Sequence, residues 1–127
     1  GALKLKEISY IHAEGYPSGE LKHGPMALID KNMPVVVVMS SDSFFSRNLN
    51  TVSEIVSQGG KVISVVSEDS DTRSNKADNV ISIPKSSDLL SPLLTAIPLQ
   101  LLAYYIAIKR GCNVDQPRNL TKSVPTD

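Results

Sequence analysis

The sequence predicts an α/β domain, an open and mostly parallel sheet with helices on both faces, and three observations carry that class. PVVVVM, at Pro34–Met39, is an unbroken β-branched run, the pattern of a parallel strand covered on both faces. KVISVVS, at Lys61–Ser67, is a second such run, and a helix-length amphipathic segment separates the two. The run at 89–108 carries no charge and is bracketed by Asp88 and by Lys109 and Arg110.

The elements follow in order. Residues 1–14 read as helix, with Leu3, Leu5, Ile8 and Ile11 spread over much of the surface rather than one stripe, so burial on more than one face is expected. Gly15, Pro17 and Ser18 end it. Residues 19–29 are irregular with at most one helical turn, because Gly24-Pro25 breaks anything longer. After the first strand, Ser41 or Asp42 caps a helix to about Gln58, with Phe44, Leu49, Val52, Ile55 and Val56 inward, and Gly59-Gly60 stops it. Residues 68–78 form a polar loop. Asn79–Ile83 is the third strand, closed by Pro84. Pro92 suits the first turn of a last helix that runs to Arg110 and stops at Gly111. Residues 112–127 show no periodicity. That divides the chain into a domain at 1–111 and a tail at 112–127.

Composition narrows the function. The chain has 127 residues, one domain's worth, with 41% hydrophobic and 20% charged residues, as in a soluble globular protein. Lys plus Arg and Asp plus Glu both number 13, and the pI is about 6.9. A nucleic-acid or anionic-membrane partner would want a basic excess, so neither is expected. One cysteine, Cys112, makes no internal disulfide, which fits a reducing, cytoplasmic setting. No basic-then-apolar leader opens the chain. Gly1 begins a helical pattern without a cap and reads as an excised boundary rather than a natural start. The stretch at 89–108 is long enough to span a bilayer, yet it contains Ser91, Pro92, Thr95, Pro98 and Gln100. We read it as a helix buried within the domain or at a dimer interface.

Two polar, turn-rich segments remain once the scaffold is assigned. Near the start, Lys4 and Glu7 are i, i+3 neighbours and reach one patch. As a bare surface ion pair they contribute a few tenths of a kcal/mol. Close behind comes GELKHGP, at 19–25, with His23 in its irregular stretch; imidazole suits proton transfer near neutral pH. At the far end DQPRNLTKSV, at 115–124, crowds Arg118, Asn119, Thr121 and Lys122 into one non-periodic stretch that Leu120 and Val124 can pin. Lys6 reads as a solvated charge on another face, and His12 as structural. The two histidines, with no paired cysteines, make no metal-site pattern. Together these segments offer a carboxylate, an imidazole and two candidate amines, the groups that move protons on a carbonyl compound.

ALKLKEISYIHAE, SGELKHGPMALID, PLQLLAYYIAIKRG and DQPRNLTKSV together resemble the C-terminal part of the glutamine–fructose-6-phosphate aminotransferases (isomerising), the glucosamine-6-phosphate synthases. GELKHGP alone would suggest sugar isomerase (SIS) domains of several kinds; the tail points to the synthases. The resemblance implies a three-layer, flavodoxin-like SIS fold and identifies 1–111 as the second SIS subdomain. It implies that Glu7 moves a proton between C1 and C2 of the sugar, that Lys4 assists at its oxygens and that His23 assists ring opening in the other subunit's site. Lys122 would form a Schiff base with the open-chain ketose. Arg118, Asn119 and Thr121 would lie in substrate binding or at the junction with a glutaminase domain.

The implied reaction converts fructose 6-phosphate and glutamine to glucosamine 6-phosphate and glutamate, with no metal or organic cofactor. The implied partners are the sugar phosphate, a first SIS subdomain that holds its phosphate, an N-terminal glutaminase domain and a second copy of the chain. Apart from those domains the chain is expected to be inactive. It departs from the family at Pro125-Thr126-Asp127, where a Thr-Val-Glu-like ending is typical. The competing expectation is a non-catalytic SIS module that binds a phosphosugar and regulates a partner; Glu7 together with Lys122 favours the enzyme.

Overall fold

A computed structural model of the chain describes residues 1–39, 44–72 and 75–120. Its sheet has three parallel strands in the order β1 (Pro34–Met39), β2 (Lys61–Ser67) and β3 (Asn79–Ile83), each with the bounds expected. The register pairs Val36 with Ile63 and Val65 with Ile81. Strand β2 is central. Val62 and Val66 on one face and Val65 on the other are all buried, which is why its sequence runs apolar instead of alternating.

Helix α2 (Phe45–Ser57) covers one sheet face, where Val52 and Ile55 join Val37, Met39, Val62 and Val66 in the core. The caps expected at Ser41 and Asp42 lie outside the described residues. Phe44, expected inward, is 55% exposed. It occupies the N-cap position, before helical periodicity begins, so the inward stripe starts at Phe45 and Asn48 instead.

The segment at 17–28 is more regular than expected. It forms two 3₁₀ helices, Ser18–His23 and Pro25–Leu28, hinged at Gly24 with φ 151°. Helix α1 is shorter than expected, Ala2–Ser9. Tyr10 ends it in the left-handed region (φ 57°), and three donors converge on the Leu5 carbonyl: the Tyr10 and Ile11 amides and, at 2.7 Å, the Ser9 hydroxyl. Such back-bonding competes with the helical ladder.

Helix α3 (Ser91–Lys109) ends as its sequence predicts, with the Gly111 amide on Ile108 and the Cys112 amide on Ala107. The burial expected of it holds for one stripe only. Thr95, Ala103 and Ala107 are buried, but Leu93, Ile97, Leu101, Tyr105 and Ile108 are about half exposed or more. By length and composition α3 could cross a membrane, yet Pro98 interrupts its ladder and Thr95 donates to the Pro92 carbonyl.

The chain forms two compact units: Tyr16–Pro98, which holds the sheet, and Gly1–Gly15 together with Leu99–Asp127.

Candidate functional site

Within the unit that contains α1, residues 3, 6 and 7 lie on one side of the helix and Tyr10 caps its end. Leu3, Lys6, Glu7 and Tyr10 line one wall of an open cleft of about 430 Å³. The other wall comes from the far end of the sequence, at Arg118, Asn119 and Leu120. Glu7 is the carboxylate of the cleft, partly buried, and accepts from Lys4 Nζ at 2.7 Å. Lys4, about half exposed, holds the carboxylate by charge and hydrogen bond together.

Local turns bring the tail there. Asn113 Oδ1 accepts from the amides of Asp115 and Gln116, an Asx turn that reverses the chain after α3. Pro117 fixes one φ angle, and Asn119 turns the chain again with φ 61°, a conformation that asparagine tolerates. Between them Arg118 docks on Tyr10. Its amide donates to Tyr10 Oη at 3.0 Å, and its guanidinium lies 4.2 Å from the ring centroid.

His23 belongs to the other unit, at the last position of the first 3₁₀ helix, and is exposed. Three interactions hold that helix on α2: Leu21 is buried in the core, Ser18 Oγ donates to the buried Asn48 at 2.6 Å, and Lys22 pairs with Glu54 at 2.7 Å. His23 is thereby presented on a fixed support.

The structure thus brings Glu7, Lys4, Arg118 and Asn119 together. Lys122 and Thr121 lie outside the described residues; in the chain they follow directly on Leu120, which lines the cleft. Lys6 is not on a separate face but in the cleft wall. His12, expected to be structural, also lines the cleft and lies exposed, 3.7 Å from Glu14. Tyr10 was not legible as a site residue, because its role depends on a partner 108 positions away.

Comparison with known proteins identifies the family of the chain. The SIS domain family matches residues 1–110. Over all 127 residues the chain is 56% identical to the glutamine–fructose-6-phosphate aminotransferase (isomerizing) of Aquifex aeolicus, of which it spans 22%. Among solved structures it resembles the C-terminal domain of glucosamine-fructose-6-phosphate aminotransferase from Francisella tularensis. That match has a TM-score of 0.86 at 50% identity and covers 91% of this chain and 32% of the other. Glucosamine-6-phosphate deaminase from Thermotoga maritima is also similar, with a TM-score of 0.75 at 32% identity over 97% of this chain and 34% of the other.

Proposed function

The chain belongs to the SIS domain family, and from that premise we propose that it is the C-terminal part of the isomerase region of a glutamine–fructose-6-phosphate aminotransferase. Residues 1–111 are its second SIS subdomain and 112–127 its active-site tail. The observation that carries the reading is the cleft. A helix-borne carboxylate, Glu7, faces the root of a tail that bears an amine, Lys122, and this chain is 56% identical to an enzyme of that name.

The chemistry follows from the residue types. His23 moves a proton to open the ring of fructose 6-phosphate. The Lys122 amine, deprotonated, attacks C2 of the ketose; the N–C2 bond forms and the carbonyl oxygen leaves as water. The iminium acidifies the C1 hydrogens, because the electron pair left on C1 delocalises onto nitrogen. Ammonia released from glutamine adds at C2 and displaces the lysine as free amine. Glu7 then takes a proton from C1 and delivers one to C2, which converts the ketose imine into the 2-amino aldose. Lys4 holds Glu7 in place while it hydrogen-bonds the sugar oxygens. Arg118 and Asn119 line the way to the glutaminase domain. The phosphate is held by the first SIS subdomain, the working unit is a homodimer, and the setting is cytoplasmic.

The test uses the intact parent enzyme. Lys122→Ala and Lys122→Arg are expected to lose both glucosamine 6-phosphate synthesis and borohydride trapping of the sugar. Trapping that persists in either variant would move a non-catalytic phosphosugar-binding module to the front. The 127-residue chain alone is expected to show no turnover of fructose 6-phosphate; measurable turnover refutes the division of labour among domains.

A further inference from the structure

We propose that Tyr10 is a positioning residue for the tail, holding Arg118 at the end of α1 and so setting the point from which the chain runs on to Lys122. The inference rests on the reading of Lys122 as the amine nucleophile.

Two contacts of different kind meet on one side chain. The hydroxyl accepts the Arg118 main-chain amide at 3.0 Å, which fixes the backbone. The ring takes the guanidinium at 4.2 Å, which fixes the side chain. Tyr10 is itself held: its amide bonds the Leu5 carbonyl, and its left-handed backbone (φ 57°) turns it off the end of α1. A non-glycine residue rarely adopts that conformation without a compensating contact. Asn119 turns the chain immediately afterwards with φ 61°. The root of the tail, at Arg118 and Asn119, is therefore held at a defined point beside the end of α1.

That point matters because of what else α1 carries. Glu7 lies three positions before Tyr10, on the last turn of α1, and lines the same cleft. The base acts at C1 and C2, and the amine acts at C2. Both must be placed relative to one sugar, and a displacement of about 1 Å can cost about a hundredfold in rate. Tyr10 ties the root of the tail, at Arg118, to the end of the helix that carries Glu7.

The test again uses the intact parent enzyme. Tyr10→Phe removes the acceptor and keeps the ring; Tyr10→Leu removes both. A lost hydrogen bond predicts about a fivefold slower borohydride trapping at Lys122 in Tyr10→Phe. The lost cation–π contact brings the fall to about tenfold or more in Tyr10→Leu. KM for the sugar phosphate is expected to stay unchanged in Tyr10→Phe, and tryptic cleavage after Arg118 to accelerate by a similar factor, because the protease must lift the chain from the ring. A lower melting temperature with unchanged trapping per folded enzyme means that Tyr10 is merely structural and overturns the proposal. So does unchanged trapping in Tyr10→Leu when Lys122→Ala has abolished it. If Lys122→Ala still traps sugar, the lysine reading fails instead; faster tryptic cleavage in Tyr10→Phe then keeps the tail docking, and unchanged cleavage ends it.

Discussion

At the scale of single residues, the Lys4–Glu7 pair shows why context matters. On an isolated helix it is a solvated ion pair; here Glu7 also lines a cleft whose other wall is Arg118, Asn119 and Leu120, which is what supports its proposed role as the base. Glu7→Gln in the parent enzyme is expected to lower kcat by about 10²–10⁴-fold, the usual weight of a general base, while borohydride trapping at Lys122 persists. Equal loss of both would mean that Glu7 organises the site rather than moving the proton. Asp78 supplies a prediction of another kind. Its carboxylate accepts from the Val62 amide at 2.8 Å and from Lys61 Nζ at 3.0 Å. The backbone bond first, and then the lysine, hold its pKa below the ordinary 3.8. A depressed carboxylate contributes stability above pH 3.8 that is lost as pH falls through the lower folded value. Acid unfolding followed by circular dichroism is therefore expected to show a shallower dependence below pH 3.8 in Asp78→Asn; an unchanged slope removes Asp78 from the account. Glu7, His23 and Lys122 stood out in the sequence as candidates, but the roles proposed for them came only through a resemblance, since no residue type announces a catalytic role alone. Tyr10 was invisible because its partner is remote in the chain.

At the scale of elements, the strands were legible to the residue. Pro34–Met39, Lys61–Ser67 and Asn79–Ile83 are β-branched runs bounded by proline, glycine or charge, and in the central strand β2 burial on both faces leaves no alternative period to confuse. Helix ends were less legible. The stop of α1 at Ser9 comes from a tyrosine in a left-handed cap, where sequence signals would call for glycine or asparagine. The glycines after α2 were read correctly as a stop, and the structure adds a second reason for Gly60. A Cβ there would lie 2.6 Å from Ile29 Cγ2, 2.7 Å from Ile55 Cγ2 and 3.2 Å from the Ile55 carbonyl. The backbone must pass close to α2 as it enters β2, and only hydrogen fits. Gly60→Ala is expected to destabilise the domain by about 1–3 kcal/mol, the cost of overpacking, read as a lower urea midpoint. A midpoint within error of the original would mean that Ile29 and Ile55 yield freely.

At the scale of the whole molecule, α3 is the element whose sequence and surroundings disagree most. Its small residues Ala103 and Ala107 are fully buried, while Leu93, Ile97, Leu101, Tyr105 and Ile108 form a stripe at three- and four-residue spacing and stay about half exposed or more. A soluble helix usually has the reverse arrangement. A contiguous apolar stripe of this kind marks a surface that is covered in the working protein. Covering half-exposed leucine or isoleucine side chains is worth roughly 1 kcal/mol each, half the value of full burial. Several in one stripe suffice to drive association at moderate concentration. The 127-residue chain is therefore expected to self-associate in sedimentation experiments, with an average mass that rises with concentration. Ile97→Glu combined with Leu101→Glu should return it to monomer with its far-ultraviolet dichroism intact, because both side chains already face outward at 53% and 48% exposure. A monomer at high concentration in the unsubstituted chain would show that this stripe meets another part of the parent enzyme rather than a second copy. The uncharged run was visible in the sequence. Which of its faces would be left bare was not, because that depends on what lies across from it in space.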